Sequence, residues 1–219
     1  MKRAPNLSAY CFVDGGHVRA MAKQVGKPLV DPRALAITIT YSATVQYWRT
    51  WKPGPEPGDL VVDSDIRIGL DRVIYFDARR DDATDQLLEE YWRAVELLPD
   101  TELGFGSVRG RPRRQKKVDG LIAVDMLGGA FAGLFQVAIL VSGDADFVPV
   151  VDAVRRTGVM VVVASTADGL ADELRREADR VWILDPAGRN RALFPPLLKD
   201  GTNAWYERDN GKFEVSQLT

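Results

Sequence analysis

The sequence contains very few of the side chains that bind soft metals or form disulfide bonds. Its 219 residues include one cysteine, Cys11, and one histidine, His17. A single cysteine cannot form a disulfide bond within the chain, so we expect a reducing compartment, the cytoplasm. One cysteine and one histidine are also too few for the usual zinc sites, which use nitrogen and sulfur ligands. Any bound metal would therefore be held by oxygen atoms, which favours Mg²⁺ or Mn²⁺.

Long apolar runs and a large net charge are absent as well. No apolar stretch approaches the roughly 20 residues that span a bilayer, and residues 1–16 lack the apolar core of a signal peptide. We therefore predict that a membrane is not a partner. The formal net charge of −2 provides no global positive field that would attract nucleic acid. The hydrophobic fraction of 46% is that of an ordinary soluble domain.

Apolar runs that alternate with helical patterns indicate the fold class. Strands are predicted at 10–13, 72–76, 137–141, 159–165 and 181–184, and helices at about 18–24, 83–98, 147–157 and 168–178 and from Val118. This alternation predicts a three-layer α/β/α fold with a mainly parallel sheet. We assign residues 1–185 to one domain, with a proline-rich insertion at about 41–70, and residues 186–219 to a C-terminal extension.

Two aspartates directly follow strands that are predicted to be buried. Asp14 follows Tyr10–Val13, and Asp144 follows Val137–Val141 after a short Ser-Gly turn. Because open parallel sheets bind ligands at the carboxyl ends of their strands, we expect both carboxylates at one edge. Asp119 opens the helix that leads into the second strand, so the chain can bring it to the same edge. Three carboxylates at that edge would repel one another and would need a cation.

Each of these aspartates also has an alternative, purely structural role. An aspartate just before a helix often accepts hydrogen bonds from the first backbone N–H groups. Asp144 or Asp146 could cap the helix predicted at 147–157, and Asp119 could cap its own helix. For Asp144 or Asp146 alone, the two roles carry about equal weight. Ser142 belongs to a set of small residues that let backbone and substrate approach closely.

Other polar residues are weaker candidates. Asp125 lies six residues after Asp119, so the two point roughly 120° apart around a helix, and its apolar neighbours predict a buried, paired, supporting residue. His17 would be attractive as a general base or a substrate contact, although a lone polar residue at a turn is more often structural. We interpret Asp77 as a turn residue and Asp31 as a helix cap.

A dense basic run lies between residues 109 and 117. Its six cations are Arg109, Arg111, Arg113, Arg114, Lys116 and Lys117. The run could be a solvated loop whose charges serve solubility. Its position directly before Asp119 favours the other interpretation, in which these cations hold the phosphates of a nucleic acid whose backbone reaches the carboxylates.

Three segments together resemble a known family. YCFVDGGHVRA, KKVDGLIAVDML and LVSGDADFVPVV, in this order, are similar to the signature segments of NYN domain proteins, the LabA-like group of the PIN-like nuclease superfamily. The resemblance covers about residues 9–185 and fits poorly around the insertion. It implies a PIN-like fold and a divalent-metal-dependent endoribonuclease that hydrolyses single-stranded RNA. One or two Mg²⁺ or Mn²⁺ ions would be held by Asp14, Asp119 and Asp144.

The resemblance also assigns roles to the residues around these carboxylates. It places Asp146 near the metal as a fourth catalytic residue and Ser142 against a carboxylate or water, and Asp125 matches an often acidic position. The family often has asparagine where this sequence has His17, which leaves substrate handling open. PIN nucleases also tend to carry a glutamate on an early helix, and no residue of this sequence is a clear equivalent.

Two other classes of enzyme fit the sequence less well than a nuclease, and one non-catalytic class stays open. A phosphatase of the haloacid dehalogenase type would carry D-x-D on its first strand, whereas here D-x-D occurs late, at Asp144 and Asp146. A Toprim nuclease would have glutamate at the position of Asp14. A catalytically silent, PIN-like RNA-binding or regulatory adaptor remains the alternative function. The expected partner is single-stranded or structured RNA.

A homodimer also stays open at the level of the sequence. Large aromatic residues occur in the insertion and in the extension, where burial or a dimer contact explains them better than base stacking does. They are Trp48, Trp51, Trp205 and Tyr206.

Overall fold

The computed structural model describes most of the domain that the sequence predicts, together with three short pieces of the C-terminal extension. The described residues are 6–24, 29–40, 67–80, 86–109, 114–116, 118–184, 205–206, 208–209 and 212–213. Among them, no helix is both long and apolar enough to cross a membrane.

The described residues form eleven strands and six α-helices, with one short 3₁₀ helix at Ala145–Phe147. The strands are β1 (Asn6–Asp14), β2 (Leu29–Val30), β3 (Arg67–Arg80), β4 (Thr101–Arg109), β5 (Arg114–Lys116), β6 (Val137–Val141), β7 (Met160–Thr166), β8 (Arg180–Leu184), β9 (Trp205–Tyr206), β10 (Arg208–Asp209) and β11 (Lys212–Phe213). The helices are α1 (Gly15–Gln24), α2 (32–40), α3 (Gln86–Glu96), α4 (Val118–Phe131), α5 (Val148–Arg156) and α6 (Asp172–Glu177).

Seven strands form one sheet in the order β5-β4-β3-β1-β6-β7-β8. All neighbours are parallel except β4 and β5, which pair in antiparallel fashion. The chain leaves β1 toward β3 on one side, and β6 later pairs on the other side of β1. This reversal of strand order opens a crevice beyond the carboxyl ends of β1 and β6, where open α/β sheets bind ligands.

Two separate hydrophobic cores lie on the two faces of the sheet. Alternate residues of β1 point to opposite faces, so Cys11 and Val13 join the first core and Phe12 joins the second. Helices α1, α2 and α3 cover the first core, and α4, α5 and α6 cover the second. All five residues of β6 are buried, as expected for a central parallel strand. The prediction of a three-layer α/β/α fold is confirmed.

The helix starts follow local chemistry. Asp31 precedes Pro32, and its Oδ1 accepts hydrogen bonds of 2.9 Å from the backbone N–H groups of Arg33 and Ala34. The prediction that Asp31 is a helix cap is confirmed. In α1, Val18, Met21 and Ala22 recur at helical spacing and are buried against the sheet.

Two parts of the sheet differ from the sequence prediction. β3 spans 67–80 instead of 72–76, so its first four residues belong to the segment that we assigned to the insertion at 41–70. The rest of that insertion lies outside the described residues. β4 and β5 had not been predicted, because glycines at 104 and 106 interrupt the apolar pattern of β4.

The C-terminal extension contributes short strands. β9 pairs with β2 in antiparallel fashion, with Leu29 opposite Tyr206 and Val30 opposite Trp205. β10 and β11 form a two-stranded hairpin. The domain boundary at residue 185 stays a prediction, and so does the oligomeric state.

Candidate active site

The crevice at the switch in strand order is lined by the ends of three segments. Asp14 is the last residue of β1, and α1 begins at the next residue. β6 lies beside β1 with Val141 opposite Val13, so the loop that follows β6 emerges next to Asp14. Asp119 is the second residue of α4, on the other face of the sheet. Segments that are far apart in the sequence therefore meet at one edge.

Hydrogen bonds join the end of β1 to the loop after β6. The Ser142 hydroxyl, which is buried, donates to Asp14 Oδ2 over 3.2 Å. The backbone N–H of Asp144 in turn donates to Ser142 Oγ over 3.4 Å. The backbone N–H of His17 donates to Asp14 Oδ1 over 3.2 Å. Asp14 is thus held from two sides, which fixes its carboxylate before any ligand arrives.

For Asp14 and Asp144, a structural role as a helix cap is compatible with a role as a metal ligand. Asp14 accepts from the first turn of α1, and Asp144 Oδ1 accepts from the backbone N–H of Asp146 over 3.0 Å, at the start of the 3₁₀ helix. Each carboxylate has two oxygens with several lone pairs. Capping therefore orients these side chains without using up their capacity to bind a cation.

The carboxylates form one electrostatic cluster. The pKa of Asp119 is raised, first by its partial desolvation and then by the negative charges of Asp14, Asp144 and Asp146. The geometry agrees with these causes, because α4, which carries Asp119, contacts the 3₁₀ helix that contains Asp146. We call these four residues the aspartate cluster. A cation placed among them would relieve their mutual repulsion.

The donor set fits a hard divalent cation by chemistry and charge. Carboxylate and hydroxyl oxygens are ligands that suit Mg²⁺ and Mn²⁺. In the described part of the chain, however, no three His, Cys, Asp or Glu side chains converge closely enough to hold one metal ion. Mg²⁺ is commonly held by one or two carboxylates together with water molecules, so this donor set still suits it.

His17 lies on the first turn of α1 and contacts the end of β7. Its Nε2 is 3.0 Å from the hydroxyl oxygen of Ser165, which is buried. Burial lowers the pKa of His17, and this effect outweighs the opposing influence of Asp14 and Asp144. The local environment therefore favours the neutral imidazole. Sequence reasoning missed Ser165, although a serine at the carboxyl end of an apolar strand was a usable signal.

Glycines allow the loops of the crevice to pass close to one another. A Cβ atom on Gly143 would lie 1.7 Å from the carbonyl oxygen of Gly169, and one on Gly15 would lie 2.6 Å from that of Phe76. The backbone N–H of Ala171 donates to the carbonyl of Gly143 over 2.9 Å. The loop after β6 and the loop after β7 are therefore packed backbone against backbone.

The interpretation of Asp77 as a turn residue is wrong. Asp77 lies within β3, its side chain is fully buried, and it forms an ion pair with Arg19 of α1. Its Oδ2 also accepts hydrogen bonds from Trp92 Nε1 over 2.9 Å and from the Tyr75 hydroxyl over 3.3 Å. A buried carboxylate needs such partners. The network connects α1 and α3 to the sheet beside the candidate site.

The predicted burial of Asp125 is also wrong. The inward face of α4 is formed by Ile122 and Met126, so Asp125 falls on the exposed side of the helix. Its pKa is raised by partial desolvation and by the nearby charge of Glu102. Among the described residues, no hydrogen bond or ion pair of the Asp125 side chain is found, so the structure does not place it with the other aspartates.

The basic run contributes the backbone of a hairpin. Arg109 ends β4 and pairs with Arg114 of β5, while Lys116 pairs with Ser107. Residues 110–113 and Lys117, and with them Arg111 and Arg113, lie outside the described residues. Because α4 begins at Val118, this hairpin leads directly into the helix that carries Asp119.

Comparisons with known proteins identify the family and the fold of this chain. The family model described as NYN domain matches residues 9–185, whereas no curated protein matches. A protein of unknown function from Vibrio parahaemolyticus has a TM-score of 0.55 at 18% identity, over 84% of this chain and 97% of that one, which shows a common fold. A nicotinamidase from Staphylococcus aureus reaches a TM-score of only 0.29 at 9% identity, over 79% and 87% of the two chains, so its likeness carries no argument.

Proposed function

The chain belongs to the NYN domain family, a nuclease-like family of the PIN-like superfamily, and from this premise we propose that it is a divalent-metal-dependent endoribonuclease. One observation carries the proposal. Ser142 joins Asp14 to Asp144, and α4, which carries Asp119, contacts the 3₁₀ helix that contains Asp146. Four carboxylates that repel one another therefore lie at the edge of the sheet where α/β folds bind ligands. A neutral or anionic ligand would leave this repulsion in place, whereas a cation removes it.

Asp14, Asp119 and Asp144 are the residues that would hold one or two Mg²⁺ or Mn²⁺ ions. When bound, such ions supply Lewis acidity toward a phosphodiester and neutralise charge on its oxygens. Ser142 and the backbone N–H of His17 keep the Asp14 carboxylate oriented. We assign Asp146 to accepting a hydrogen bond from the attacking water, because it lies two residues after Asp144 and is exposed to solvent.

The substrate in this proposal is single-stranded RNA. Its phosphates would be held by the cations of the basic run, Arg109, Arg111, Arg113, Arg114, Lys116 and Lys117. The path of the chain supports this assignment, because the β4–β5 hairpin leads into α4, and α4 begins one residue before Asp119. An RNA strand gripped there would have its backbone beside the aspartate cluster.

The decisive experiment compares cleavage of end-labelled single-stranded RNA and matched DNA in Mn²⁺, Mg²⁺ or EDTA. We expect RNA cleavage that requires the metal and falls by about a hundredfold or more in Asp144→Asn, since a metal-binding carboxylate is lost. Asp125→Asn is the matched control, because it removes the same charge outside the aspartate cluster. It should retain wild-type cleavage.

Two outcomes would contradict the proposal. RNA binding without cleavage, unchanged in Asp144→Asn, would indicate a catalytically silent adaptor. Equal loss of activity in Asp144→Asn and Asp125→Asn would mean that the aspartate cluster has no special role.

A further inference from the structure

The pair formed by His17 and Ser165 is not explained by capping or by core packing. Ser165 is the sixth residue of the seven-residue strand β7, and its hydroxyl oxygen is 3.0 Å from Nε2 of His17 on α1. This contact spans β6, since β7 is separated from β1 by that strand. It therefore connects the helix that follows Asp14 to the far side of the crevice.

Two glycines leave the space in which the pair lies. A Cβ atom on Gly143 would lie 2.7 Å from Ser165 Oγ. A Cβ atom on Gly169 would lie 3.5 Å from the same oxygen and 3.4 Å from Cε1 of His17. The hydroxyl and the imidazole thus fit between two backbone segments, which restricts the orientation of the ring.

The burial of the Ser165 hydroxyl determines whether Ser165 or His17 donates the hydrogen bond. Ser165 is fully buried, and among the described residues its hydroxyl oxygen has no hydrogen-bond partner other than His17. If Nε2 carried the proton and donated, the buried hydroxyl proton of Ser165 would be left without an acceptor, which is costly. Donation from Ser165 to Nε2 satisfies both groups. A neutral imidazole then carries its proton on Nδ1.

The other ring nitrogen of His17, Nδ1, is suited to donate a hydrogen bond to an anionic substrate. Within the described part of the chain, Nδ1 has no hydrogen-bond partner, and the half-buried ring belongs to the residue whose backbone N–H donates to Asp14. Non-bridging oxygens of a phosphodiester only accept hydrogen bonds, so an N–H group suits them and a bare lone pair repels them.

We propose that Ser165 is a positioning residue that holds His17 in the Nδ1–H tautomer, so that Nδ1–H donates to a non-bridging oxygen of the scissile phosphate. The phosphate contact rests on the proposed nuclease function. The tautomer of His17 does not depend on that function, because the buried hydroxyl of Ser165 imposes it in the free protein.

The tautomer can be measured directly, because His17 is the only histidine of the chain. In untagged protein labelled with ¹⁵N-histidine, long-range ¹H–¹⁵N spectra at pH 8 distinguish a protonated from an unprotonated ring nitrogen. We expect Nδ1 to be protonated and Nε2 unprotonated in the wild type, and both tautomers in Ser165→Ala. Thr166→Val is the matched control, since it removes a neighbouring hydroxyl that bonds to Gly169 and leaves the tautomer unchanged.

A double-mutant cycle tests the function of the pair. Ser165→Ala should lower kcat/KM for RNA by about five- to tenfold, the equivalent of one hydrogen bond. In a His17→Asn background, the amide provides an N–H donor without tautomers. Ser165→Ala should then have no further effect, whereas a residue that merely supports the fold would lower activity equally in both backgrounds.

Three results would overturn the inference in whole or in part. A wild-type spectrum with the proton on Nε2 would refute the role of Ser165, and so would a tautomer unchanged in Ser165→Ala. Equal, additive losses in the cycle would refute the phosphate contact. If wild-type protein leaves RNA intact in Mn²⁺, the proposed function fails and the phosphate contact fails with it, while the spectra still decide whether Ser165 sets the tautomer.

Discussion

Individual side chains of the aspartate cluster are held together at some cost in stability. The pKa of Asp119 is raised by desolvation and by Asp14, Asp144 and Asp146, so its ionised form is disfavoured in the folded protein. The same charges that disfavour the ionised form would favour a bound cation. Under the proposed function, this repulsion would be a loss of stability that accompanies activity.

Asp119→Asn should therefore stabilise the metal-free protein. A raised pKa in the folded state lowers stability as pH rises above the ordinary value of 3.8. The melting temperature of the variant should exceed that of the wild type by about 1–3 °C at pH 7, because Asp119 is exposed and its repulsion is screened. The difference should shrink as pH falls and vanish toward about pH 3, well below the ordinary value, where the carboxylate is protonated in both states. Thermal unfolding in EDTA across this pH range measures it.

Excess Mn²⁺ at pH 7 should reverse the order of the melting temperatures, so that the wild type melts above Asp119→Asn. A ligand that binds only the folded state stabilises it, so the wild type should gain more from Mn²⁺ than Asp119→Asn does. Asp125→Asn should keep the full gain, because Asp125 lies outside the aspartate cluster. Equal gains in all three proteins would argue against metal binding by Asp119.

Gly143 is the residue whose replacement the site tolerates least. An added Cβ would meet the carbonyl oxygen of Gly169 at 1.7 Å, and backbone cannot move aside as a flexible side chain can. Gly143→Ala should lower the melting temperature by about 3–10 °C, the usual cost of overpacking, and should reduce RNA cleavage.

Gly128→Ala is the control for this prediction. Nothing lies within 4 Å of the Cβ that it would add on α4. Alanine also has a higher helix propensity than glycine, so this variant should be as stable as the wild type or more stable. A Gly143→Ala protein that behaves like Gly128→Ala would mean that the two loops are not in contact.

At the scale of secondary structure, the β4–β5 hairpin is the main element that sequence analysis did not foresee. A basic run that had been interpreted as either a solvated loop or a phosphate-binding segment supplies an edge strand to the sheet. A strand fixes the spacing of its backbone, which a free loop does not. The hairpin thereby ties the basic run to the start of α4 and hence to Asp119.

Lys116→Ala should weaken binding of single-stranded RNA if the basic run holds phosphates. The slope of log K against log salt concentration should fall by about 0.7, the value for one lost contact to a single-strand phosphate. Lys23→Ala removes the same charge from the last turn of α1, which runs away from the crevice, and should leave the slope unchanged. Fluorescence anisotropy in EDTA at several salt concentrations measures both. Equal slopes in the two variants would instead favour the role in solubility.

At the scale of the whole molecule, strand order determines which side chains meet. The order β5-β4-β3-β1-β6-β7-β8 reverses direction at β1, and every group of the candidate site lies beyond the carboxyl ends around that reversal. A change in this order would leave each local pattern intact and would separate Asp14 from Ser142. The site is therefore a property of the topology as much as of the residues.

The sequence by itself determined most elements and the residue types of the site. Apolar runs and helical spacing located β6, β7 and α4, and aspartates after buried strands identified Asp14 and Asp144 as candidates. These are local signals, because the periodicity and the capping of an element depend on its own residues and their near neighbours.

Only the tertiary structure revealed contacts between distant segments. The bond from His17 to Ser165 joins residues 148 positions apart, and the ion pair from Arg19 to Asp77 joins residues 58 positions apart. The exposed position of Asp125 likewise depends on which face of α4 packs against the second core. No local pattern encodes such pairings, because they follow from strand order and from the burial that the other layers impose.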